Sequence, residues 1–202
     1  MLIFLKSIGF GLAVAAPVGP MSLICMRRTL AHGPRWGFAT GAGIALADTT
    51  YAFAAALGLA GLFAAFLHAH QAIIQAVAGL ILIAIGARFW FAPFAENPST
   101  TGAGSIRAAF ASAYALTLAN PPTLLTFAAM FAAFAPGMRS GAQAVAETTL
   151  GVLAGSMLWW LGLVSLIARL HHVIGPAARK RIGQLSALCL IGFGLAALLD
   201  IL

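Results

Sequence analysis

The stretch AAPVGPMS, residues 15–22, interrupts a run that otherwise has the composition of a membrane helix. Proline lacks a backbone N–H and its ring clashes with the preceding turn, so a helix interior disfavours it. Here Pro17 and Pro20 bracket Val18 and Gly19. A second interruption, NPPT at 120–123, falls in the other half of the chain. The reading of these two breaks decides the fold.

The surrounding composition fixes the solvent. Of 202 residues, 62% are hydrophobic and 7% charged, whereas ordinary soluble domains are roughly 25% charged. Such a chain cannot cover a water-facing surface, and its long apolar runs point to a bilayer. The net charge of +7 would suggest nucleic acid in a soluble protein. Here the basic residues cluster between apolar runs with no aromatic-basic groove, so they read as topogenic charge facing the cytoplasm and anionic lipid, with no nucleic-acid partner. Cys25 and Cys189 lie far apart in apolar runs without a CxxC partner, which suits packing rather than a disulfide or a metal site. Lys6, the apolar run after it and A-V-A at 13–15 have the outline of a signal peptide. The basic start is weak and the chain stays apolar beyond it, so this segment reads as the first span.

A span needs about 20 apolar residues, and six stretches fit: 2–26, 36–66, 70–92, 107–134, 142–169 and 182–202. The fold class expected is an all-α polytopic membrane protein. The linker AENPSTTGAGS (95–105) divides it near the middle. The expected organisation is a three-helix unit over 1–94, a cytoplasmic linker over 95–106 and a second three-helix unit over 107–202. Arg27, Arg28 and Arg35 mark the first loop, Arg88 and Arg107 flank the third, and Arg169, Arg179, Lys180 and Arg181 mark the fifth. The second loop has no Lys or Arg, and the fourth has only Arg139. Odd loops are therefore cytoplasmic and both termini outside, with Lys6 dissenting.

The halves resemble each other. Ala16-Pro17 is followed by Gly43-I-A-L-Ala47-Asp48-T-T-Tyr51, and Asn120-Pro121 by Gly151-V-L-A-Gly155-Ser156-M-L-Trp159. Each places a proline break on one helix and a Gly-xxx-small-polar-xx-aromatic pattern on the next. Two consecutive three-helix units enter a membrane from opposite sides, because three is odd. This is the inverted-repeat arrangement of many secondary transporters.

Depth supports a site at the breaks. Counted from Ile3, Pro17 lies about 21 Å into its helix, and Pro121, counted from Arg107, lies equally deep from the other side. A break there frees carbonyl and N–H groups that only protein or a water-filled cavity can satisfy. Paired interruptions at corresponding positions point to a substrate site, although a kink without ligand would use the same residues. Asp48 lies about 18 Å into its helix, where an acid faces a cavity or a partner. It could bind a substrate amine, exchange a proton, or be capped by Thr49, Thr50 or Tyr51. Asn120 can satisfy freed backbone or hold a carboxylate. Ser156 occupies the position matching Asp48. Glu147 reads as interfacial, and Glu96 and Asp200 as solvated. Gly37, Gly41, Gly43, Ala47, Gly151 and Gly155 form small-residue stripes suited to helix packing. Tyr51, Trp159 and Trp160 could line a pocket or pack in the core. His68, His70, His171 and His172 read as interfacial loop residues rather than metal ligands. No catalytic motif, ATP-binding element or cofactor site is present, so the chain reads as a non-enzyme.

AAPVGPMSLICMRRTLAHG (15–33) and the G-x-G-x-x-x-A-D-x-x-Y helix (Gly41 to Tyr51) resemble the first half of the LysE/RhtB family of bacterial amino-acid exporters. NPPTLLTFAAMFAAF (120–134), GSMLWW (155–160) and GFGLAAL (192–198) are similar to its later helices. Many members read P-G-P where this chain has Pro-Val-Gly-Pro, and Asn-Pro-Lys or similar where it has Asn-Pro-Pro-Thr. The resemblance implies a multi-pass protein of the bacterial inner membrane that exports amino acids or similar small metabolites. It suggests Pro17, Gly19, Pro20, Asp48, Asn120 and Pro121 as the functional set, with Tyr51 and Ser156 beside them on the path. The expected mechanism is alternating access, and a homodimer would suit so small a transporter. A metal-ion exporter of the wider superfamily, with Asp48, Asn120 and free carbonyls as an oxygen cage, and a non-transporting membrane scaffold remain the alternatives.

Overall fold

The computed structural model describes residues 1–17, 19–91, 105–120, 123, 126–127, 141–170 and 175–199. Among these it contains seven α-helices and no strand: α1 Leu2–Ala15, α2 Pro20–His32, α3 Pro34–Ala56, α4 Ala60–Phe91, α5 Ile106–Leu118, α6 Ala142–Leu170 and α7 Pro176–Leu199. The linker segment 95–104, and with it Glu96, lies outside the described residues, as do Pro121, Arg139, His171, His172 and Asp200.

The proline break is a real discontinuity. α1 ends with its cap at Ala16, α2 starts at Pro20, and their axes differ by 80°. Pro20 sits at the first helical position, where its missing N–H costs nothing. Among the described residues, α6 alone is long and apolar enough to cross a membrane by itself, and α1 with α2 passes the same test as one bent unit. The described parts of the six expected stretches are mostly helical, but among them only α6, and α1 with α2 as one bent unit, have the length and apolarity of a span.

Two expected boundaries are corrected. The second stretch was expected to run to 66, with His68 and His70 in a loop. Instead α3 stops at Ala56 and α4 starts at Ala60, so both histidines are helical. The turn is set by Gly58, whose φ of +79° suits a residue without Cβ. Its N–H donates to the Ala55 carbonyl at 2.9 Å, and the Leu59 N–H donates to Ala54 at 3.0 Å. The second correction concerns Arg27 and Arg28, expected in a loop. α2 continues through both to His32, and Arg27 is buried.

Small residues dictate how the helices meet. α6 runs parallel to α1: a methyl at Gly151 would lie 2.7 Å from the Phe4 carbonyl oxygen and 3.3 Å from the Ile8 nitrogen, and one at Gly155 would meet Ile8 and Leu12 backbone. α3 runs parallel to α5 in the same manner: a methyl at Gly43 would press on the Phe110 carbonyl and lie 3.1 Å from the Tyr114 nitrogen. α3 and α6 run antiparallel, with Gly37 facing Val164, Gly41 facing Trp160, and Asp48 bonded to Ser156. α4 and α7 are also antiparallel; Gly79 and Gly194 each face the other's carbonyl oxygen. Without lipid-exclusion driving helices together, such close backbone approach is the main source of attraction.

Candidate functional site

The site is built where α3 and α6 cross. On α3, Ala45, Asp48 and Ala52 recur at helical spacing, and all are buried. On α6, Val152, Ser156 and Trp160 recur every four residues and face them. At the crossing the Ser156 hydroxyl donates to Asp48 Oδ2 at 2.7 Å, with both residues 2% exposed or less. Among the described residues the hydrogen-bond partner of Asp48 is Ser156, a neutral donor, and none of the ion pairs among them involves Asp48.

One turn along α3, the Tyr51 hydroxyl donates to the Leu118 carbonyl at 2.5 Å, in the last turn of α5. Tyr51 also lies against the ring of Phe127, centroids 5.6 Å apart, and Phe127 in turn meets Phe10 of α1 at 5.4 Å. These contacts join both interrupted helices to the face of α3 that carries Asp48. At the second break, Asn120 Nδ2 donates to Thr123 Oγ1 at 2.9 Å, so the Asn120 amide serves the local turn. At the first, the freed Pro17 carbonyl accepts from Ser22 Oγ at 3.4 Å. Gly19 caps α2 in an extended conformation without a side-chain cap.

Asp48 and Ser156 thus meet directly, and Tyr51 lies one turn along α3 on the same side. Pro17, Gly19 and Pro20 form the joint between α1 and α2, and Ala15 and Met21 beside that joint share an apolar cluster with Trp160 and Ala45. Trp160 is a core residue and Trp159 packs against the same cluster; neither indole N–H has an acceptor among the described residues. Glu147 accepts from the Met1 amine at 3.1 Å and from Gln143 at 2.9 Å, at the opposite end of α6 from Arg169.

One group was missed by sequence reasoning. The Arg28 guanidinium donates to Ala109 O at 2.9 Å, Ser112 Oγ at 2.9 Å and Thr40 Oγ1 at 3.2 Å, joining α2 to α3 and α5. Arg27 stacks over the Phe89 ring of α4 at 3.8 Å. The available signal was the absence of a helix stop before Gly33, which places both arginines inside α2.

A profile of the LysE type translocator family matches residues 12–200, nearly the whole chain. The chain belongs to the LysE type translocator family. No curated protein and no solved structure matches it significantly. Membership makes this LysE type translocator a membrane transport protein of the class that handles amino acids or related compounds. The matched region takes in both proline breaks, Asp48, Ser156 and Arg28.

Proposed function

We propose that this translocator is a secondary transporter that exports amino acids or related small metabolites across the bacterial cytoplasmic membrane. It would work by alternating access between two inverted three-helix repeats, 1–94 and 107–202, with six spans and both termini outside. The observation that carries this reading is the buried Asp48–Ser156 pair.

A carboxylate enclosed in the bundle with, among the described residues, a hydroxyl as its partner is costly in its charged form. It gains a counter-charge when a substrate amine displaces Ser156, or loses its charge when it takes a proton. Either event changes which packing of α3 against α6 is favoured, and that differential is what a transport cycle needs.

The contacts support the repeat. The residues aligned between halves, Asp48 and Ser156, bond to each other, as residues near a two-fold axis do. Gly151 sits over α1 as Gly43 sits over α5, each across the carbonyl of one residue and the amide four residues on. The mutual approach of Gly79 and Gly194 supplies the corresponding self-paired contact of the third helices. The parallel and antiparallel relations all agree with six successive crossings.

A metabolite-export screen comparing overexpression with deletion tests the reading. A substrate would accumulate outside overexpressing cells and inside deleted ones; no difference for any amino compound would refute it. With a substrate in hand, Asp48→Asn is expected to abolish or strongly slow export. Wild-type rates across a range of pH would remove Asp48 from the mechanism.

A further inference from the structure

We infer that Arg28 is the latch of a gate at the basic end of the bundle, holding α2 shut against α3 and α5 below Asp48. The inference rests on the transporter reading above and assigns the residue that closes one side of the path.

α2 is a 13-residue helix suspended between two glycine joints. Gly19 at its start is extended, with no atom near its open side. Gly33 at its end has φ +91°, a conformation other residues rarely adopt, and is equally open. Each glycine has free space at its Cβ position, so the backbone can turn at both joints, although Ala15 and Met21 beside the first are packed in the core. Its apolar residues Ile24, Cys25 and Leu30 are buried toward the bundle. Such contacts are non-directional and tolerate sliding. Its contact with α5 is small, and among the described residues Arg28 makes every hydrogen bond across it.

The acceptors explain why this is a latch and not a permanent brace. Thr40, the Ala109 carbonyl and Ser112 are all neutral, and Arg28 itself is only partly buried. Thr40 and Ala109 are buried and Ser112 is half-buried, so the bonds hold while α2 is closed; neutral acceptors release the guanidinium to water on opening, whereas a carboxylate would hold it against such exchange. Thr40 stands eight residues before Asp48 on α3, about 12 Å toward the basic end. Opening between α2, α3 and α5 would lead from that end toward the Asp48–Ser156 pair. A purely topogenic arginine would need none of these bonds and could be lysine. A lysine cannot serve three acceptors on two helices with a planar fork.

Cys25 is a built-in reporter. It lies one turn before Arg28, is fully buried, and its Sγ donates to the Gly37 carbonyl of α3 at 3.6 Å. Swinging α2 away exposes it. The full-length protein carrying Cys189→Ser, which removes the exposed second thiol, would be labelled in native membranes with a small maleimide. Arg28→Gln is expected to raise the Cys25 labelling rate roughly tenfold or more, the factor equivalent to ~1.4 kcal/mol of closing free energy. Arg28→Lys should fall between, and net export should drop in the same order. Unchanged labelling in a folded Arg28→Gln protein, or an Arg28→Lys protein that matches wild type in both readouts, overturns the latch. Should Arg28→Gln fail to insert, Ser112→Ala with Thr40→Val removes two acceptors and keeps the arginine; a rise of several-fold supports the latch, and no rise overturns it. Labelling needs no substrate, so a wild-type protein that exports nothing would refute transport separately from the latch.

Discussion

Gly155→Ala tests one of the closest helix contacts among the described residues. The added methyl would lie 2.9 Å from both Ile8 C and Leu12 N and nearer still to the Ile8 carbonyl oxygen. All three are backbone atoms of α1, so no rotamer change relieves the overlap and α1 must move. Overpacking of this kind costs about 1–3 kcal/mol, and three backbone contacts put it near 3. Alanine recovers about 1 kcal/mol of helix propensity, leaving a net loss of about 2. Gly162, on the same helix, has nothing within 4 Å of the equivalent position, so Gly162→Ala should gain up to about 1 kcal/mol. The two variants should therefore differ by about 3 kcal/mol. At about 2–4 °C per kcal/mol for a chain of this size, the gap in melting midpoint is about 6–12 °C. Tryptophan fluorescence of the detergent-purified full chain during a thermal ramp would read it. A Gly155→Ala protein melting at or above Gly162→Ala would mean that α1 and α6 do not meet on this face.

Two further outcomes follow from the site. Tyr51→Phe removes the hydroxyl that satisfies the Leu118 carbonyl; it should cost about 1 kcal/mol and lower the midpoint by about 2–4 °C, and an unchanged midpoint would mean the bond carries no stability. Exchanging the pair, Asp48→Ser with Ser156→Asp, keeps one carboxylate and one hydroxyl at the crossing. If the pair lies on a two-fold axis, the exchanged protein should export faster than Asp48→Ser or Ser156→Asp alone; a double variant no better than the poorer single would argue against the repeat.

What the chain reveals before its structure is known follows from the physics of each signal. Proline and glycine act locally, so the break between α1 and α2 and the Gly-xxx-small patterns were readable at Pro17, Pro20, Gly43 and Gly151. Asp48 stood out because an acid in a long apolar run is costly unless it has a partner or a cavity. The turn at 57–59 was not readable, because Leu57-Gly58-Leu59 is as apolar as the helices it joins. Hydropathy measures the cost of leaving water, and a turn made of leucine around one glycine does not change it.

Arg28 was hidden for the opposite reason. Charge counting treats every arginine near the end of an apolar run as a topological marker, and by that rule Arg28 and Arg35 are equivalent. The structure separates them: Arg35 is exposed near the start of α3, whereas Arg28 crosses to the Ala109 carbonyl 81 residues away. The distinction lies in the partner, since Thr40 and Ser112 are hydroxyls set among small apolar residues that hydropathy scores as ordinary membrane helix. A half-buried guanidinium needs such acceptors, and a membrane helix needs a reason to carry them. Hydroxyls on the bundle-facing sides of α3 and α5, one turn inside the basic end, are therefore the trace that this arginine leaves in the sequence.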